Sequence, residues 1–187
     1  MFRRKSSQHA RARATEYATC KDFQQIFNEE MAGLHLLAYL LTADPARAEQ
    51  CFVAGLDDSI HGNPVFKQWA RAWSKRAIIQ NAIKAMAPAA QRESGHEGLP
   101  MNSPTGNEPA LVSLVMRWPA FERFVFVMAV LEGYSIRECA AMLGCSDKEI
   151  VAVKSRVLQR LGEETAQGAV PSGADGWTAL LARAQVA

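Results

Sequence analysis

Residues 134–161 read YSIRECAAMLGCSDKEIVAVKSRVLQRL, and this stretch writes the start of a helix twice with one glycine between. Ser135–Glu138 and Ser146–Glu149 both follow the Ser-x-x-Glu pattern of a capping box. In that box the serine hydroxyl accepts from the backbone N–H three residues on, and the glutamate accepts from the serine N–H. Gly144 sits where a left-handed turn would join the two helices, a conformation glycine adopts without steric cost. The small Ala140 suits a close crossing, and Cys139, Leu143, Cys145, Ile150, Val153, Val157 and Leu161 fall inward at helical spacing. The stretch therefore predicts a helix-turn-helix, a unit whose second helix commonly enters the DNA major groove. The competing reading is an αα-hairpin without a ligand.

With Ile150, Val153, Val157 and Leu161 inward, Lys148, Val151, Ala152, Ser155, Arg156 and Gln159 point outward. Ser146 and Lys148 lie at the helix start, where free N–H groups favour a phosphate. Val151 and Ala152 suit thymine methyls, and Arg156 a guanine or a phosphate. Lys154 and Arg160 flank the inward stripe, with phosphate contact and plain solvation equally open. Glu149 is expected in the cap, not on a base.

Outward from this unit the chain divides into two helical blocks. Residues 19–86 form the first. Thr19 and Asp22 offer a cap, Phe23 to Leu41 follows at helical spacing, and Asp44-Pro45 ends that helix or starts the next. Ala46 to Leu56 reads as a second helix, His61 to Pro64 as a turn, and Val65 to Met86 as a third helix. Residues 87–109 are rich in Pro, Gly, Ser, Asn and Glu, the composition of a flexible linker. Residues 110–162 form the second block, with helices over Leu111–Trp118 and Ala120–Leu131 before the helix-turn-helix. Residues 1–18 are a basic arm carrying Arg3, Arg4, Lys5, Arg11 and Arg13, and residues 163–187 a tail with a short amphipathic segment at Trp177–Ala184. No strand is expected. The fold class is all-α, two small helical domains on a flexible linker.

Composition narrows the function. The chain has 187 residues, 49% of them hydrophobic, which suffices for real cores. Twenty-one basic against 19 acidic residues leave a net charge of only +2, so any nucleic-acid argument rests on local placement. No apolar run follows the early cations as in a signal peptide, and Met31–Ala43 is too short to span a bilayer, so a cytoplasmic protein without a membrane partner is expected. Cys20, Cys51, Cys139 and Cys145 lack metal-ligand spacing, and the four histidines are scattered, so no metal, cofactor or disulfide is expected. No phosphate-binding loop, nucleophile elbow or metalloprotease motif is present, and an enzyme is not expected.

The order of the blocks resembles the extracytoplasmic-function class of bacterial RNA polymerase sigma factors. Pro119, Glu122-Arg123, Phe126, Glu132-Gly-Tyr-Ser135, Glu138, Ala140 and Leu143-Gly144 follow the pattern of that family's region four. Val153-Lys154-Ser155-Arg156 repeats the family's Val-Lys-Ser-Arg once about one helical turn is inserted after Gly144. Region two is matched by Phe23, Phe27, the Leu34–Leu41 helix, Ala48-Glu49, Phe66 and Trp69.

The resemblance implies a transcription initiation factor with promoter DNA and core RNA polymerase as partners. It also allows an anti-sigma factor, for which no residue is a marker. Region four would read upstream duplex through Ser146, Lys148, Val151, Ala152, Lys154, Ser155, Arg156 and Gln159. Region two would hold melted promoter strands through Arg71, Trp73, Lys75 and Arg76, cations and an aromatic suited to single-stranded DNA. Trp69 is expected in the core; Trp73 is left open. The family's polar polymerase-gripping segment is here Gln50, Cys51, Phe52, Val53 and Ala54, so Glu49, Gln50, Asp57 and Asp58 remain as polymerase-binding candidates. The alternative is a degenerate helix-turn-helix regulator, or an interaction module, that does not bind the polymerase core.

Overall fold

The computed structural model describes residues 16–89 and 110–166; the basic cations of residues 1–15, most of the linker and the Trp177–Ala184 segment lie outside the described residues. The described elements are helical: α1 (Cys20–Glu29), α2 (Met31–Thr42), α3 (Pro45–His61), α4 (Ala70–Met86), α5 (Ala110–Met116), α6 (Ala120–Phe126), α7 (Ile136–Leu143) and α8 (Asp147–Ala166). A 3-10 turn at Lys67–Trp69 leads into α4, and a π turn at Val127–Leu131 extends α6. The one β-type pairing among the described residues is an isolated antiparallel bridge between Tyr17 and Phe66.

Local chemistry sets most of the boundaries. Thr19 and Asp22 form a full capping box that starts α1. Asp44 accepts from the Arg47 N–H at 2.8 Å and Pro45 occupies the first turn, which starts α3. The continuous helix expected through Phe23–Leu41 is instead broken at Glu30, whose backbone closes α1 onto the Ile26 carbonyl. Neither a glycine nor a proline marks that break; Glu30 turns outward there to meet Arg71. α3 runs past Leu56 to His61, and α4 starts at Ala70 instead of Val65. α8 continues through Gly162, where a side chain would meet no neighbour, and reaches Ala166.

In the first block α2, α3 and α4 pack on one another, with α1 lying on α3 and α4. Gly55 is the point of closest approach: a Cβ there would come within 2.6 Å of the Ile78 side chain and 3.2 Å of its backbone. Every residue of α6 is buried, from Ala120 to Phe126. α6 touches α8 on one side and α2 on the other, so a single apolar cluster runs from Phe27 and Leu34 through Val115, Phe124 and Met128 to Ile150 and Val157. The described residues of both helical blocks thus meet in one core.

Two charged side chains of α6 are buried, Glu122 towards α8 and Arg123 towards the seam with the first block. The Arg123 guanidinium donates to the Leu41 carbonyl at 3.1 Å and the Trp118 carbonyl at 3.0 Å. It thereby closes the C-terminal end of α2, where cations are electrostatically favoured. Burial pulls its pKa down to about 10.

Candidate nucleic-acid interface

Both capping boxes form as read from the sequence. Ser135 accepts from the Glu138 N–H at 3.2 Å and donates its own N–H to Glu138 at 2.9 Å. Ser146 accepts from the Glu149 N–H at 3.3 Å and donates to Glu149 at 2.8 Å. Hydrogen bonds from the Ser135 side chain and backbone hold the Glu138 carboxyl below its ordinary pKa. Gly144 sits at φ 65°, and the Cys145 N–H bonds the Ala140 carbonyl at 3.1 Å, the 6→1 closure that ends α7. The second helix is fixed on α7 and α6 by buried Ile150, Val153 and Val157.

Helical rotation of about 100° per residue sets Lys148, Ala152, Ser155 and Gln159 along one line. All four are exposed, with exposed Val151 on one flank and Arg156 on the other. The Ser146 hydroxyl is engaged in its cap, and Gln159 donates to Glu163 at 3.0 Å. Lys154 leaves this surface: half-buried, it donates to the Ala129 carbonyl at 3.2 Å, at the π turn. Arg156 and Arg160 both reach Glu122, at 3.0 and 2.6 Å. The surface can therefore offer a duplex a shallow line of small and polar side chains, a cation at its start and a fixed guanidinium at its edge.

The α4 candidates are brought together on one helix, where Arg71 and Lys75 are held in ion pairs. Arg71 meets Glu29 at 2.9 Å and also Glu30. Lys75 reaches Glu132 of the second block at 2.9 Å. Half-buried Arg76 lies near Tyr134 and Glu138, close enough to favour their ionised forms; burial still raises the Tyr134 pKa to about 12. Trp73 is half-buried against Phe23, Ile26, Val65 and Ala70, and its indole N–H meets no acceptor among the described residues.

Trp69 overturns its expected core position. It is 56% exposed and meets Phe66 edge-on at 5.2 Å, while Phe66 stacks on Tyr17 at 4.6 Å. The 3-10 turn shifts its register away from that of Trp73, so two tryptophans four residues apart do not share a face. Tyr17 and Phe66 were not legible as surface aromatics, because the bridge that pairs them joins residues far apart in sequence. Lys67 and Arg71, close to these aromatics in sequence, are both exposed; Lys67 pairs with Asp22 at 3.1 Å, as Arg71 does with Glu29 and Glu30.

On α3, Glu49, Gln50 and Asp57 line a shallow surface depression with Ala46, Val53 and Ala54, and Val53 is 58% exposed. Asp57 meets His61 at 2.9 Å. Asp58 lies outside that depression, bonded by Asn81 at 2.8 Å and facing Lys84 at 3.8 Å. Among the described residues no group of three His, Cys, Asp or Glu side chains could hold a metal ion, and no helix is long and apolar enough to cross a membrane. The chain matches no protein-family model, no curated protein and no solved structure.

Proposed function

We propose that the chain is a sigma-type transcription initiation factor. In this reading residues 19–86 are a region two-like unit and residues 110–162 a region four-like unit, joined by residues 87–109, acting in the bacterial cytoplasm. α8 enters the major groove of upstream promoter duplex. The Tyr17–Phe66–Trp69 ladder with Lys67 and Arg71 stacks on melted strands, since aromatic faces beside cations bind single-stranded DNA. Core RNA polymerase docks on the exposed face of α3, an anti-sigma factor is a further partner, and no covalent bond is made or broken. The observation that carries the reading is the pair of capping boxes about Gly144, which leaves a straight, exposed face on the second helix.

In vitro transcription with purified bacterial core polymerase and genomic fragments tests it. The expected result is initiation at discrete sites, weakened by Arg156→Ala by about 1–3 kcal/mol in promoter binding. Random initiation, with no retention of polymerase at low salt and no retarded duplex, overturns it.

A second reading, a regulator or interaction module without polymerase binding, has its own support. The depression on α3 is lined by Ala46, Val53 and Ala54 as well as by Glu49, Gln50 and Asp57, so half of the residues a clamp would have to grip are apolar. Duplex binding that persists while polymerase fails to co-purify at low salt favours this second reading.

A further inference from the structure

Glu122 occupies the first turn of α6, is 6% exposed, and receives one guanidinium nitrogen from each of two arginines of α8. One carboxylate oxygen takes Arg156 at 3.0 Å and the other takes Arg160 at 2.6 Å. Four residues separate the two arginines, so they stand one above the other on the flank of the proposed DNA-facing line. Their side chains remain well exposed beyond the contact, Arg156 more than Arg160.

Two arrangements could follow from such a fork. In the first, Glu122 withholds the arginines and a phosphate must pull them away. In the second, the arginines stay on Glu122 and meet DNA with their remaining N–H groups. Pulling away would strand a buried carboxylate without its cations, among the costliest changes a folded protein can suffer. A single exposed contact to a phosphate returns far less. A guanidinium has five N–H donors in a rigid plane, and Arg156 gives one of its nitrogens to Glu122, so it can be held and still bind.

We infer that Glu122 is a positioning residue: its buried carboxylate holds the Arg156 guanidinium in a fixed plane at the edge of α8 and so sets which base pairs that arginine can read. This rests on the duplex-binding reading and names the residue behind its specificity. Arg160 completes the fork and keeps the carboxylate compensated from the second side.

The test is selection from a randomised duplex library by the full chain, with wild type, Arg156→Ala, Glu122→Gln and the double variant compared. Wild type should enrich a motif, and Arg156→Ala should lose the preference at one or two adjacent base pairs. Glu122→Gln should lose preference at the same base pairs, by roughly five- to tenfold in the ratio of preferred to disfavoured duplex, and the double variant should lose no more. A purely structural role for Glu122 would lower the melting temperature without changing that ratio.

Because an amide beside two arginines could unfold the second block, Arg156→Lys provides a surface variant. It keeps the charge but loses the planar fork, and should lose the same preference with the salt dependence of binding unchanged. An undiminished motif in Glu122→Gln or in Arg156→Lys overturns the positioning role. So does tighter binding of all duplexes by Glu122→Gln with the motif intact, the signature of a carboxylate that withholds. If wild type enriches nothing, the duplex-binding reading itself falls and this role falls with it.

Discussion

Arg123 is the residue on which the largest single effect is expected. It is a buried cation whose guanidinium donates to the Leu41 and Trp118 carbonyls. Arg123→Met keeps the aliphatic stem but leaves two buried carbonyls without donors, each a loss of about 1–3 kcal/mol. Urea denaturation should therefore show a loss of about 2–6 kcal/mol, while the same substitution at exposed Arg117 should change stability by less than about 0.5 kcal/mol. The position was legible in the sequence only as part of a family pattern. Nothing local distinguishes it from Arg137, which is exposed, because its acceptor lies 82 residues away. Glu122 was hidden for the same reason: its two partners come from α8, and only the folded chain brings them within reach.

At the scale of the element, what depends on neighbours three or four residues apart was readable. The caps at Thr19, Asp44, Ser135 and Ser146 and the left-handed Gly144 all formed where side-chain chemistry puts them. Ser135→Ala should lower stability by about 1 kcal/mol, and Gly144→Ala, at positive φ, by about 1–2 kcal/mol, both measurable by thermal melts followed by circular dichroism. The cap also gives a pH dependence of defined sign. Glu138 has its folded pKa depressed, so its contribution is full above the ordinary glutamate value of about 4.3 and is lost as the pH falls through the lower folded value. Ser135→Ala should accordingly flatten the acid limb of stability against pH, and an unchanged acid limb would show that the capping bond does not hold the carboxyl down. The break at Glu30 and the π turn at Val127–Leu131 were not readable. Neither has a glycine or proline to mark it; the Glu30 break lies where α1 and α2 meet, and the π turn packs on α2 and α7, contacts that local sequence does not encode.

The two helical blocks were legible as separate runs of periodicity, but their joint core was not, although α6 contained a hint. Phe121, Phe124, Val125 and Phe126 face in too many directions for one amphipathic stripe, which means a helix covered on more than one side. In the structure α2 supplies the second cover, with Arg123 on Leu41 and Lys75 on Glu132 as polar ties across the seam. The second block alone is small, and small domains bury too little of their surface to be more than marginally stable. Its stability therefore depends on the seam. Phe124→Ala removes a fully buried ring from the shared cluster and should destabilise by about 3–5 kcal/mol. Native-state hydrogen exchange decides how far that loss travels. If the core is one cooperative unit, amides of α2 and α3 should lose protection together with those of α8. If α8 alone loses protection while α2 and α3 keep theirs, the blocks unfold independently. The seam would then be a contact that can part at little cost, which the proposed function needs if two units are to reach separate promoter elements at once.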